Sequence, residues 1–282
     1  MRHPVISLLT DFGARDPSGA ILHGVIATIA PDVRVIDISH EVRKFAIRDG
    51  ALLLWCALPY LPVGVHVGVV DPGVGTSRRP IAILTGRGDV LIGPDNGLLI
   101  AATTRLGGLA SARLLEAPEY RLPVVSTSFH GRDIFAPAAA HIARGAPFES
   151  LGPELDATTL APSPIADATV EPGRLGSSIV YVDTFGNVKL AGLRADLEAA
   201  LGAVRPGDRL ELTVERAADP PMTAVVRWVA AFGDVAPGSP LLYEDSYGRI
   251  CLAENQGNVA VRLGLAEDLS VRIRRAEPRP GH

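Results

Sequence analysis

The sequence predicts an α/β protein in two parts: an N-terminal, mostly parallel sheet flanked by helices, followed by a smaller all-β, barrel-like domain. Three observations carry this. In the first half, short apolar runs rich in Val, Ile and Leu alternate with segments of helical spacing. Between Leu151 and Gly176 the composition shifts to Pro, Ala, Thr, Ser and Glu without a sustained period. Beyond that segment one β-type run follows another, with turn residues between them. The expected division is 1–160 for the N-terminal domain, 161–176 for a linker and 177–282 for the C-terminal domain.

Taken in order, Val5 to Leu9 is a β-rich run that ends in the turn-rich loop TDFGARDPSG. Ala20 to Ile29 has helical spacing and stops before Pro31. Val33 to Ile38 reads as a strand, Ala46 to Leu58 as an apolar helix and Val65 to Val70 as a third strand. Ile81 to Leu84 and Val90 to Ile92 are two more, Gly97 to Leu106 returns to helix, and Ser128 to Arg144 holds the last clear helical pattern. Their near-continuous apolar character suits a parallel sheet buried on both faces. In the second part, strands are expected at Ser178 to Val182, Arg209 to Val214, Thr223 to Val229, Leu241 to Tyr243, Arg249 to Ala253, Asn258 to Arg262 and Leu269 to Arg274. No internal repeat stands out.

Composition removes several classes of function. The chain has 282 residues and a formal charge of −4, so it lacks the basic footprint of a nucleic-acid or anionic-membrane binder. A small molecule or a protein is the expected partner. Apolar residues make up 47% of the chain, enough for a core that needs neither metal nor disulfide. Cys56 and Cys251 lie far apart in apolar runs and read as small buried hydrophobes. The opening MRHPVISLLTDFG is too short in apolar residues for a secretory signal, and no run approaches the ~20 residues of a membrane span. A cytoplasmic protein is the expectation.

In open parallel sheets, ligands bind at the carboxyl ends of the strands. Three loops there carry acids: TDFGARDPSG with Asp11 and Asp16, VVDPGVGTSRR with Asp71, Arg78 and Arg79, and GPDNG with Asp95 and Asn96. A fourth cluster, FHGRD, brings His130, Arg132 and Asp133 to a helix start. Each taken singly is also a good turn or cap sequence; their recurrence at successive element ends points to a site. His3, His66 and His141 have no polar neighbourhood in the sequence, and His23 and His40 follow acid-bearing loops. There is no GxxxxGK[ST] or GxGxxG phosphate cradle, no HExxH or CxxC, and no GxSxG elbow. The residues alone leave a nucleoside-binding enzyme, its Asp on a ribose, level with a hydrolase using Mg²⁺ on Asp11, Asp16 and Asp71.

Read together and in order, LLTDFG, VVDPGVGTSRR, IGPDNG, SFHGRDIFAPAAAH, DTFGNV and DSYGRICLAENQGN resemble the S-adenosylmethionine (SAM) hydroxide adenosyltransferases, or SAM hydrolases. That family also contains SAM-dependent fluorinases and chlorinases. The resemblance covers almost the whole chain. It implies a reaction of SAM with water giving adenosine and L-methionine, without a metal or other cofactor, in a homotrimer whose active sites lie at subunit interfaces. It further implies that Asp71, Arg78 and His130 handle the water, that Asp11 holds the ribose hydroxyls and that Phe45 packs on the substrate. Asp16, Ser18 and Asp183 match groups around the methionine ammonium, Ser246 is a candidate for its carboxylate, and Phe185 and Asn187 match adenine contacts. The halogenases carry an uncharged hydroxyl-bearing side chain where Asp71 stands, so the resemblance implies water rather than halide. Three positions depart from the patterns of the family. Ser18 and His23 stand where many hydrolases have an aromatic and a lysine, and Tyr247 stands where halogenases have an arginine.

Overall fold

The structure, a computed structural model, describes residues 5–216 and 220–277; His3 lies outside them. The chain divides into two compact units, Met1–Ile165 and Ala166–His282. The division falls inside the segment expected as a linker, and residues beyond it are already built into the second unit.

The first unit runs β1 (Val5–Thr10), α1 (Ser18–Ile29), β2 (Arg34–Ser39), α2 (Ile47–Ala57), β3 (Val65–Val69), β4 (Pro80–Thr85), β5 (Val90–Pro94), α3 (Ile100–Thr103), β6 (Leu109–Leu114) and α4 (Ala136–Ala143). The sheet order is β2-β1-β3-β5-β4-β6. β2, β1, β3 and β5 are mutually parallel, whereas β4 pairs antiparallel with both β5 and β6. The strands β1, β3 and β5 are buried along their whole length, which explains why they read as apolar runs without alternation. Ile6, Leu8, Val67 and Ile92 pack there with Leu22 and Ile26 of α1 and Phe135, Ala138 and Ala139 around α4.

Two helical expectations shrink. The helix expected over Gly97 to Leu106 is regular only at α3, because Gly107 and Gly108 follow at positive φ and turn the chain into β6. The pattern from Ser128 to Arg144 opens with a π-turn at Gly131–Phe135 before α4 begins. β6 itself, an edge strand of mostly half-buried and exposed residues, carries too weak a pattern to be found from sequence.

The second unit runs β7 (Thr169–Glu171), β8 (Arg174–Val182), β9 (Val188–Leu193), α5 (Arg194–Leu201), β10 (Arg209–Val214), β11 (Met222–Trp228), β12 (Pro240–Glu244), β13 (Arg249–Glu254), α6 (Val259–Leu263) and β14 (Ser270–Arg275). Neighbours follow the order β14-β10-β11-β12-β13-β9-β8, and β14 pairs again with β8, so these strands close a barrel; β7 hangs on β8. Leu210, Leu212 and Val214 of β10 alternate inward to meet Ile179, Leu190, Leu252 and Ile273. The strand expected at Asn258 to Arg262 is instead α6. Asn258 caps it, its side chain accepting from the Val261 backbone N–H at 2.8 Å, and Gly264 ends it in the left-handed conformation. α5 is a further element that the sequence pattern does not announce; Asp196 accepts from the Leu193 N–H at 2.8 Å at its start.

Candidate active site

β1 and β3 lie side by side and parallel, with Thr10 opposite Val69, so both deliver an acid just beyond their carboxyl ends. These are Asp11 and Asp71, and both line a cleft of about 380 Å³ in the first unit. Its other walls include Phe45, Phe129 and His130. Asn96 ties down the approach to Asp71 by donating from Nδ2 to the Val70 carbonyl at 2.9 Å. Arg79 is committed elsewhere, its Nε donating to Asp95 at 2.8 Å, so the two adjacent arginines serve different partners.

Arg78 returns along the same loop to Asp71. Its Nε donates to Asp71 Oδ1 at 3.1 Å and its Nη2 to Oδ2, a bidentate pair with side chains only 6% and 5% exposed. The same Nη2 reaches His130 Nδ1 at 3.0 Å. A guanidinium has no acceptor atom, so His130 Nδ1 accepts, and the neutral ring carries its proton on Nε2. Burial, reinforced by the Arg78 cation, holds the His130 pKa below its ordinary value of 6.5 against the pull of Asp71. Arg78 Nη1 is buried without a hydrogen-bond partner, a donor left over at the heart of this group.

The loop bearing His130 is held from below by Asp133, fully buried, which accepts from the Ser126 N–H at 2.8 Å and from Arg132 Nε at 2.6 Å. Burial opposes its charge, but the bonds from Arg132 and Ser126 prevail and its pKa is lowered. Gly75 locks the two loops together: at φ +76 its Cα faces the Thr127 carbonyl, where a Cβ would come within 2.2 Å of the oxygen. A π-turn beginning at Gly131 lets His130 leave α4 at this angle.

Asp11 accepts from the Phe45 N–H at 2.9 Å, and Lys44 Nζ donates to the Asp11 carbonyl. Phe45 sits at φ 65, costly for a bulky residue, with its ring 70% exposed. Asp16 and Ser18 do not line this cleft. They bond to each other at the start of α1, and those bonds from Ser18 lower the Asp16 pKa.

The second unit holds its own concavity, about 920 Å³, lined among others by Asp183, Phe185, Asn187, Ser246 and Tyr247. Two hairpin loops of like chemistry build it. In DTFGN, Asp183 accepts from the backbone N–H groups of Phe185 and Asn187, each at 2.9 Å, and from Asn187 Nδ2 at 2.9 Å. In DSYGR, Asp245 accepts from the N–H groups of Tyr247 and Arg249, each at 2.9 Å, and pairs with Lys189. Gly186 and Gly248 close the two turns at φ 82 and 88. Both loops present an aromatic ring, Phe185 being 76% exposed. The shared D-[ST]-[FY]-G pattern is visible in the sequence and is the signal that sets Tyr247 beside Phe185 as a second loop aromatic, whereas Lys189 reaches Asp245 from 56 residues away and no local pattern shows it.

Among the histidines, His66 corrects its expectation. It is buried between Ser7 Oγ at 2.7 Å and Asp89 Oδ1 at 3.0 Å, and Arg87 also binds Asp89. The pKa of Asp89 is lowered, His66 and Arg87 overcoming burial. The pairing of β3 beside β1 makes this network, which no local spacing could show.

Residues 6–152 match the family model of the SAM hydroxide adenosyltransferase N-terminal domain, and residues 177–272 match that of the C-terminal domain. The chain belongs to the SAM hydroxide adenosyltransferase family. It is 43% identical over 270 residues, 96% of its length and 97% of the relative's, to a protein of Salinispora tropica named (R)-S-adenosyl-L-methionine hydrolase. A fluorinase of Actinopolyspora mzabensis is 27% identical, with 97% and 98% of the two chains covered. A crystal structure of an uncharacterized conserved protein from Thermotoga maritima shares the fold at a TM-score of 0.87 and 33% identity, over 96% of this chain and 100% of that one.

Proposed function

We propose that this member of the family is a SAM hydrolase, converting SAM and water to adenosine and L-methionine. The observation that carries the reading is the hydrogen-bonded chain from Asp71 through Arg78 to His130 at the end of β3, beside Asp11. Water attacks C5′ of the adenosyl group, the C5′–sulfur bond breaks with its electron pair left on sulfur, and the water gives up a proton. The leaving thioether is neutral, so no acid is needed to expel it, and catalysis reduces to aligning and deprotonating water. Of the three residues only Asp71 offers an acceptor: Arg78 has none, and His130 Nδ1 is occupied while its Nε2 bears hydrogen. Asp71 therefore takes the proton, Arg78 fixes its carboxylate, and His130 donates to the attacking oxygen or to the ribose.

Asp11 holds the ribose hydroxyls and Phe45 covers the sugar. Phe185 stacks on adenine, and Asn187, whose Nδ2 is given to Asp183, offers its carbonyl oxygen to the adenine amino group. The resemblance assigns Asp16, Ser18 and Asp183 to the methionine ammonium and Ser246 to its carboxylate; Asp16 and Ser18 stand outside the cleft lining at the start of α1, bonded to each other. A halide reading is disfavoured because Asp71 places a negative charge where the halide would sit. The reaction uses no cofactor. The groups for the reacting centre belong to one unit and those for adenine to the other, which supports a homotrimer in which neighbouring subunits complete each site. No helix among the described residues is long and apolar enough to cross a membrane, in keeping with a cytoplasmic enzyme.

Chromatography of SAM incubated with chelator-treated protein, with and without added chloride, tests the proposal. Adenosine and methionine in equal amounts under both conditions are expected, and Asp71→Asn should lower turnover by about 10²-fold or more while still binding SAM. A halogenated nucleoside, or binding without turnover by the parent protein, would overturn it.

A further inference from the structure

Outside the cleft, the fold gathers His23 of α1, Asp37 of β2 and His40 just beyond β2, residues drawn from two separate elements. His23 Nε2 lies 2.8 Å from Asp37 Oδ1 and 3.1 Å from Oδ2, and His40 Nε2 lies 3.1 Å from the same Oδ1. One ligand atom from each residue falls within 4.8 Å of the other two. We propose that these three side chains form a binding site for a divalent transition metal ion, with Zn²⁺ as the best match.

Two imidazole nitrogens and one carboxylate are the donor set of Zn²⁺ and its first-row neighbours, and are poor ligands for Mg²⁺ or Ca²⁺, which take oxygen. A tetrahedral zinc site with bonds of about 2.0–2.1 Å has ligand-to-ligand edges of about 3.3 Å. The two edges to Asp37 Oδ1 are 2.8 and 3.1 Å and the His23–His40 edge is within 4.8 Å, so modest side-chain shifts bring the three atoms to the edges of a zinc tetrahedron. A fourth position stays open to water, since His23 and Asp37 are partly exposed, at 39% and 43%.

Support beyond the ligands is present. His40 Nδ1 meets Thr10 Oγ1 at 2.8 Å, and Thr10 Oγ1 also accepts from the Phe12 N–H at 3.2 Å. With Nδ1–H donated to Thr10, Nε2 of His40 carries the lone pair and faces the ion, the usual outer-shell device for a metal-binding histidine. Gly19 allows α1 to lie against this ring, because a Cβ there would come within 3.1 Å of His40 Nε2. The ion would thus clamp α1 to the end of β2. The Gly13 N–H donates to the His40 carbonyl at 2.7 Å, so the clamp also steadies the loop that follows Asp11.

The test uses tag-free protein stripped with a chelator and titrated with ZnCl₂ by calorimetry, with Co²⁺ absorption as a second readout. Expected are one Zn²⁺ per chain, visible d–d bands with Co²⁺, and a Tm rise of roughly 4 °C or more at a hundredfold excess over Kd. His23→Ala and Asp37→Asn, both at partly exposed positions, should each weaken zinc binding at least tenfold and abolish the Tm rise. If the parent protein binds no zinc at one per chain, or if both variants bind it as tightly as the parent, the site is refuted. Turnover by stripped protein bears only on the hydrolase reading, so the two proposals fail separately.

Discussion

His130 is useful to the cleft only in one protonation state. Its Nδ1 must accept from Arg78, and burial together with that cation keeps the ring neutral to a pH below 6.5. Protonation would place an N–H against an N–H and break the chain to Asp71. The acidic limb of kcat/KM is therefore expected below pH 6.5, with activity lost as pH falls through the folded-state value; an acidic limb above 6.5 would contradict this role. Stability follows the same sign. The unfolded chain binds the proton first, so the contribution of this group is complete above 6.5 and declines as pH drops toward the depressed value. At this scale the sequence is informative where partners are near in the chain, as with Asp71 and Arg78. It is silent where they come from neighbouring strands or helices, as with His66 and Asp89 or His23 and His40.

The loops between elements, more than the strands, set the distances in the cleft. Gly75 has no room for a side chain beside the Thr127 carbonyl and takes a φ that side-chain-bearing residues avoid. Gly75→Ala should push the Asp71–Arg78 loop away from the His130 loop. A fall in kcat of about 10²-fold is expected, with a stability loss of about 1–3 kcal/mol. Parental kcat in this variant would show that the two loops need not be held together. The buried strands of the first unit are legible because short, continuous apolar runs bounded by turn residues suit strands covered on both faces. α6 reads as a strand because VAVRL is rich in β-branched residues, and only its caps, Asn258 and Gly264, reveal the helix. The π-turn before α4 is invisible because local periodicity does not distinguish it from regular helix.

Across the whole chain, the presence of a separate concavity in each unit is the feature with the widest consequence. Asp11, Asp71 and His130 line a cleft in the first unit, and Phe185, Asn187 and Ser246 a concavity in the second. If, as proposed, the chain forms a trimer in which neighbouring subunits supply the two halves, specific activity should fall at least severalfold on dilution through the range where such an assembly dissociates. Constant specific activity in a verified monomer would contradict shared sites. β7 stays hidden from the sequence because three residues carry no period. The central claim, that water attacks C5′ of SAM, is tested most directly by running the reaction in ¹⁸O-labelled water and analysing both products by mass spectrometry. The label should appear in the 5′-hydroxyl of adenosine, with an equal amount of unlabelled methionine. Adenosine without the label, or none at all, would contradict the account.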